Sequence, residues 1–358
     1  MDNKEKVLVA MSGGVDSAVA ALLLKQSGFD VSGITMQLWS EEKAVLDSLS
    51  PENDDDNCRD AKKVASLLDI PHFSVAFGEI FYKEVVNRFI SEYENAKTPN
   101  PCVFCNKHIK FGVLLEYARK LGFDKLATGH YARVEQDING RYLLKKATDT
   151  AKDQSYFLWS LSNDTLSQVI FPLGELTKPE IRSIAQENNF ESAHRSDSQD
   201  ICFIPDGDYT SFIKKHSDNG FKRGNFLDIN GNVLGMHEGL VRYTVGQRKG
   251  LGVSFGKPMF VKEKNAADNS VTLCEDSELF SDRLFASNIN LIACDKLERP
   301  IRAEVKIRYR HSPAPATVEQ IADDRLLVKF DIPQRAITSG QSLVIYDGDT
   351  VVGGGIIE

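Results

Sequence analysis

Ser12-Gly13-Gly14-Val15-Asp16-Ser17 places two hydroxyls, two glycines and a carboxylate directly after an apolar run that starts at Lys6 and ends in Ala10 and Met11. The glycines permit a tight turn whose N–H groups point outward, and a helix starting there adds the positive end of its dipole. Such a turn suits the pyrophosphate of a nucleotide. Ser12 and Ser17 add hydroxyl donors, and Asp16 stands where it could hold Mg2+ against the phosphates. A bare Gly-Gly turn would otherwise be only a tight connection. The chain contains no G-x-x-x-x-G-K-S/T, which excludes a Walker loop.

A second group of reactive residues lies in Thr98-Pro99-Asn100-Pro101-Cys102-Val103-Phe104-Cys105-Asn106-Lys107. Two prolines stiffen an extended loop, and a helix is expected to begin close to Cys105. The helix dipole, Lys107 and Lys110 should then lower the Cys105 thiol toward thiolate. C-x-x-C is also half of a zinc site, but the other cysteines supply no second pair at matching spacing. Cys202 ends Ser198-Gln199-Asp200-Ile201-Cys202, and Cys58, Cys274 and Cys294 read as small buried hydrophobes. Near the C-terminus, alternation from Arg302 to His311 would set Arg302, Lys306, Arg308 and Arg310 on one strand face. Val305, Ile307 and Tyr309 would take the other. A cationic ribbon of this kind suits phosphate contacts; solvated strand charges are the plainer alternative. Arg242, Arg248 and Lys249 add a second cationic turn.

Positioning such groups takes a scaffold. From Val7 to about Ile204, apolar strands (Val7–Ala10, Asp30–Met36, His72–Ala76, Lys125–Thr128) alternate with helices (Ala18–Ser27, Asp60–Leu68, Glu79–Asn95, Lys107–Lys120). This predicts an α/β domain with a parallel sheet covered on both faces. Sites in such sheets lie at the carboxyl ends of strands, where Ser12, Met36 and Gly129-His130 fall. Glu41–Asn57 reads as an exposed acidic loop. After Ile204, short strand-like runs between Gly, Asn and Asp predict a helical bridge over 205–222, a compact β module to Ser281 and a small barrel over 282–358. The expected blocks are therefore 1–204, 205–281 and 282–358.

At 358 residues two or three domains are expected. A net charge of −8 argues against a general nucleic-acid coat while leaving room for a local basic surface. Six cysteines without an export signal point to reduced thiols or a metal rather than a disulfide framework, and to a cytoplasmic location. No apolar stretch approaches the ~20 residues of a membrane helix.

The SGG-x-DS run resembles the PP-loop of enzymes that split ATP into AMP and pyrophosphate. Taken with TPNPC (98–102), CNKHIKFG (105–112), ATGHYAR (127–133), KDQSYFL (152–158), ICFI (201–204), VGQRKGLG (245–252), IRYRH (307–311) and GGGIIE (353–358), the chain resembles the bacterial tRNA 2-thiouridylase family (MnmA type). The resemblance implies a PP-loop domain, a central β module contacting tRNA and a C-terminal β-barrel-like domain. It implies that ATP lies against Ala10, Met11, Ser12, Gly13, Gly14, Val15, Asp16 and Ser17, with Met36 and Gly129 near the adenosine. Asn100, Pro101, Cys102 and His130 would face a flipped-out wobble uridine. Lys152, Asp153, Gln154, Arg308, Tyr309 and Gln341 would touch tRNA, with acceptors for Lys, Glu and Gln.

By the same resemblance Cys202 carries sulfur as a persulfide and Cys105 is its catalytic partner. The sulfur comes from a donor protein (a cysteine desulfurase or a persulfide relay) or from sulfide. Many members have Asp where this chain has Cys102. With Cys102, Cys105 and Cys202 together, a 4Fe–4S cluster stays open beside the persulfide route. Two rival readings are an amide-forming PP-loop synthetase, which needs no paired cysteines, and a non-catalytic RNA-binding or iron–sulfur sensing protein.

Overall fold

The computed structural model describes residues 4–39, 56–194, 201–217, 219–252 and 256–358. Most of the expected acidic loop, and Ser198–Asp200, lie outside the described residues. The chain forms two compact units. One holds the chain up to Glu84, Cys102–Phe203 and Asp349–Val351; the other holds Val85–Pro101, Ile204–Gly348 and Val352–Glu358.

The first unit is built on a parallel sheet of β1 (Lys6–Ala10), β2 (Asp30–Gln37), β3 (His72–Ala76), β4 (Lys125–Thr128) and the short β7 (Val169–Ile170), in the order β3-β2-β1-β4-β7. β1 pairs with β2 on one side and β4 on the other. Strand order therefore reverses at β1, and a crevice opens beyond its carboxyl end. Val7, Leu8 and Val9 are fully buried, each contributing roughly 1.5–3 kcal/mol by leaving water. α1 (Val15–Gln26) follows β1 at once and buries Ala18, Val19, Ala20 and Ala21 in the same core as Ile181 and Ala185 of helix α4 (Lys178–Glu187). α2 (Asp56–Leu67) adds Ala61 and Val64 to that core. A hairpin absent from the sequence reading, β5 (Ala132–Gln136) and β6 (Tyr142–Lys146), turns at Asp137–Gly140. Asp137 Oδ1 there accepts from the N–H groups of Asn139 and Arg141, each at 2.8 Å.

The helix carrying the cysteines starts earlier than expected. It runs as Pro101–Phe104, then as wide π-type turns over Cys105–Val113, then as the α-helix α3 (Leu114–Lys120). A β-carbon on Gly112 would stand 2.9 Å from the Lys107 carbonyl oxygen, so glycine suits this widened stretch.

In the second unit, helix Asn87–Glu94 sets Phe89 and Tyr93 against Phe212 and Tyr209 of helix α5 (Tyr209–His216). A four-stranded sheet follows with the order β10-β11-β8-β9, made of β8 (Gly224–Leu227), β9 (Val233–His237), β10 (Phe260–Asn265) and β11 (Ser270–Cys274). The remaining strands are β12 (Phe280–Leu291), β13 (Ile301–Lys306), β14 (Ala314–Ala322), β15 (Arg325–Arg335), β16 (Ser342–Asp347) and β17 (Thr350–Ile357). They run β12-β15-β14-β13-β16-β17 and close through β12–β17 into a six-stranded barrel. Val305, Ala316, Val318, Val328 and Ile345 fill it.

The barrel corrects the expected cationic ribbon. β13 stops at Lys306, and Arg308 and Arg310 fall in the bend and turn beyond it, so no single strand face carries all four cations. Arg302 is bound to Asp331, with its Nη1 2.8 Å from Oδ1, and also reaches Thr317. Lys306 lies over the Tyr309 ring at 5.5 Å, and Arg308 donates to the carbonyl of Arg335.

Candidate active site

The turn after β1 is a built anion cradle. Gly13 adopts φ +73°, and a β-carbon there would sit 2.6 Å from the Asn57 carbonyl oxygen, so only glycine fits both the conformation and the packing. Gly14 is the N-cap of α1 and has no side chain to satisfy the first N–H groups of the helix. Ser17 Oγ accepts from Ser12 N–H at 3.1 Å and donates to the Gly14 carbonyl at 3.1 Å, which locks the turn. Gly129 follows β4 and approaches α1 closely; a β-carbon there would meet Ser17 N at 2.9 Å. Met11 and Val15 are core residues, with the Met11 carbonyl held by Thr35 Oγ1 at 2.9 Å. Ala10 and Met36 are half-buried at the strand ends.

Asp16 is not free. Lys178 Nζ donates to its Oδ1 at 2.8 Å and Oδ2 at 2.9 Å, and the Tyr131 hydroxyl donates to Oδ1 at 2.6 Å. A carboxylate beside a phosphate nest is a suitable hard oxygen ligand for Mg2+, so the donor chemistry fits. The ammonium of Lys178 nevertheless occupies both oxygens.

The sulfur-bearing end of the same unit brings together what lies a hundred residues apart in sequence. Cys102, Cys105 and Lys110 all act electrostatically on Cys202, and all six cysteines are free thiols. The sign of the effect on the thiols reverses the expectation. Burial pushes the Cys105 thiol up, outweighing the pull of Lys110, and Cys102 adds to the rise. Burial likewise raises Cys102, and it pushes Cys202 up to about 12. The physical reason is position: Cys105 sits past the first helical turn, away from the unsatisfied N–H groups, and desolvation of a thiolate exceeds what one lysine returns. Cys102 and Cys202 are nevertheless solvent-exposed residues, whereas Cys105 is buried. Among the described residues no group of three or more His, Cys, Asp or Glu stands at metal-ligand spacing.

His130 is buried, 8% exposed, between the rings of Phe111 and Phe171. Burial, then Lys110, lowers its pKa well below the usual imidazole value, so it is neutral. Lys110 Nζ lies 3.4 Å from Nε2 and can only donate, which makes Nε2 the acceptor and leaves Nδ1–H to donate to Thr128 Oγ1 at 2.6 Å.

The remaining expected residues divide. Asp153 is buried and its carboxylate is taken by Ala147 N–H, Ser155 N–H and Ser155 Oγ at 2.8–3.2 Å, which makes it a brace of the loop rather than a group presented outward. Gln154 Oε1 accepts from Tyr131 N–H at 3.0 Å. Lys152 is half-buried beside them. In the second unit Gln341 Nε2 donates to the Thr98 carbonyl at 2.9 Å and braces the loop leading to Asn100 and Pro101. Lys178, Tyr131 and Thr128 were missed from sequence. A lysine in the first turn of a helix, the wrong end for a cation, was the available signal for the first.

Three family models cover the chain. Residues 5–206 match one described as tRNA methyl transferase HUP domain, 210–275 one described as tRNA methyl transferase PRC-barrel domain, and 281–357 one described as aminomethyltransferase beta-barrel domain. The tRNA-specific 2-thiouridylase MnmA of Clostridioides difficile (strain 630) is 48% identical over 360 residues, covering 99% of this chain and 98% of the relative. The tRNA-specific 2-thiouridylase MnmA 1 of Caldanaerobacter subterraneus subsp. tengcongensis is 48% identical over 366 residues, 100% of this chain and 99% of the relative. A third, MnmA 2 of Thermoanaerobacter sp. (strain X514), is 47% identical with the same coverage. With identity of this level along its whole length, and with an ATP-type cradle and convergent thiols in one unit, the chain belongs to the tRNA-specific 2-thiouridylase family.

Proposed function

We propose that this chain is a tRNA-uridine 2-sulfurtransferase that uses ATP to activate C2 of the wobble uridine and replaces the C2 oxygen by sulfur, releasing AMP and pyrophosphate. The observation that carries this reading is the convergence of Cys202 with Cys102, Cys105 and Lys110 in the unit that also holds the Ser12–Ser17 cradle. The family descriptions name methyl transfer, but methyl transfer has no use for a pyrophosphate nest or for paired thiols.

In this reading O2 of uridine attacks the α-phosphorus and pyrophosphate leaves toward the N–H groups at the start of α1, which stabilise the developing charge. Mg2+, when bound, neutralises phosphate charge, and Asp16 is the residue to hold it. The base leaves its stack to reach the site. Ala10–Ser17, Met36 and Gly129 bind the nucleotide; Asn100, Pro101, Cys102 and His130 face the base. Lys152, Asp153, Gln154, Arg308, Tyr309 and Gln341 form or brace the tRNA surface.

Cys202 carries the incoming sulfur as a persulfide. Its terminal sulfur attacks C2, and AMP leaves. The Cys105 thiolate then attacks Cys202 Sγ, forming a Cys105–Cys202 disulfide and releasing 2-thiouridine; an external dithiol resets the pair. The alternative route uses Cys102, Cys105 and Cys202 as the three ligands of a 4Fe–4S cluster, and the mutual influence of these thiols supports it equally. Use of tRNAs for Lys, Glu and Gln, a desulfurase or relay protein as donor, a cytoplasmic site of action and the blocks 1–204, 205–281 and 282–358 belong to the same proposal. No helix among the described residues is long and apolar enough to cross a membrane.

The test supplies ATP, unmodified tRNA and a persulfide donor, and measures 2-thiouridine together with AMP. Equal amounts of both, dependent on tRNA, support the reading. AMP formed without tRNA on a small carboxylate supports the synthetase instead. Iron and sulfide analysis after anaerobic purification decides the cluster.

A further inference from the structure

Lys178 is placed against two physical preferences at once. It is the first residue of α4, where the helix dipole disfavours a cation. It is 6% exposed, although a lysine ammonium is costly to bury. Against these costs, its Nζ lies over the Tyr131 ring, 5.7 Å from the centroid, a favourable cation–π contact beside Asp16. The surroundings direct it there. Its own N–H is held by Asp149 Oδ2 at 2.9 Å, which fixes the start of the helix. The neighbouring acid, Glu180, is spent on the cap, where its Oε2 accepts from Thr177 N–H and Oγ1 at 2.7 Å each. Asp16 is therefore the carboxylate that receives the ammonium on both oxygens, at 2.8 and 2.9 Å, and its side chain is 31% exposed.

A carboxylate offers about four lone-pair positions, and Lys178 and Tyr131 fill three. A divalent cation bound to the same group would lie close to the ammonium, and the two positive charges repel. We propose that Lys178 is a binding residue of the nucleotide site, whose ammonium stands in for a cation at Asp16 before nucleotide binds and exchanges with Mg2+ when phosphates arrive. This rests on the nucleotide reading of the cradle. On exchange the ammonium turns from carboxylate to phosphate oxygens, so the lysine both holds the loop in shape beforehand and shares the phosphate charge afterwards. A lysine suits this role better than arginine, because it is a point charge on a flexible stem rather than a bidentate fork.

The test measures binding of α,β-methylene-ATP, which cannot be split at the reacting bond, to the full chain across a Mg2+ series. In Lys178→Met the competitor at Asp16 is gone, so the Mg2+ concentration for half-maximal binding falls about threefold or more, while affinity without Mg2+ falls about tenfold as the phosphate partner is lost. Opposite signs are the signature, since a merely structural lysine would weaken binding at every Mg2+ concentration. Lys178→Gln, whose amide can still donate to Asp16, is expected to give the same pair of signs and serves if the Met variant does not fold. Parallel weakening, or no change in either quantity, overturns the exchange. No binding by the wild-type chain at any Mg2+ concentration overturns the nucleotide reading beneath it, a separate result.

Discussion

The two ends of the proposed site in the first unit handle charge in opposite ways. At the nucleotide end every ionised group has its partner in place: Asp16 is gripped by Lys178 and Tyr131, and the turn is locked by Ser12 and Ser17. At the sulfur end burial suppresses charge, raising all three thiols against the pull of Lys110 and, together with Lys110, holding His130 neutral. The difference teaches that one end is organised before its ligand arrives, whereas the other keeps its nucleophiles protonated until the reaction calls for them. A resting thiol that is not a thiolate is protected from adventitious alkylation and oxidation.

The largest effect should come from separating the two ends. Asp16→Ala should lower tRNA-dependent pyrophosphate release by about 10²–10³ while leaving the alkylation rates of Cys105 and Cys202 unchanged, read by mass spectrometry. Loss of thiol reactivity in the same variant would join the two ends and break the comparison. Gly13→Ala, forced into a left-handed conformation against the Asn57 carbonyl, should cost about 2 kcal/mol of stability and weaken ATP binding. Thermal melting with and without nucleotide checks both.

The sulfur end makes a smaller, pH-dependent prediction. Cys202 is raised from about 9 to about 12, so the folded chain holds this proton more tightly than the unfolded one. Its contribution to stability is full below pH ~9 and is lost as pH rises through that window toward ~12. Melting temperature should therefore drop across this range, and the drop should be shallower in Cys202→Ala. The smallest effects belong to the barrel. Arg308→Ala and Arg310→Ala should each reduce the salt dependence of tRNA binding by about one unit of slope, whereas Arg302→Ala, already paired with Asp331, should change it by well under one.

Much of the scaffold was legible in the sequence because its causes are local. Short apolar runs ending in Gly or polar residues marked β1 to β4, and each strand falls within one residue of its expected bounds. The β5–β6 hairpin was missed although Asn139-Gly140 is a strong turn signal, because the strands around it carry mixed charge. The widened turns over Cys105–Val113 leave no periodic trace. The end of β13 at Lys306 is set by how the barrel closes, and alternation alone overran it. The thiol shifts went wrong in sign because burial is a tertiary property, and a lysine nearby in sequence says nothing of the water removed around the sulfur. Lys178 lies 162 positions from its carboxylate, beyond any local pattern.

The central claim is that activation and sulfur delivery are distinct steps performed at these two ends. Single-turnover reactions of Cys202→Ser with labelled ATP, tRNA and a persulfide donor test it directly, with AMP attached to tRNA and 2-thiouridine followed together. Accumulated adenylated tRNA with no thiouridine is the expected result. Thiouridine formed at the wild-type rate by that variant would contradict the account.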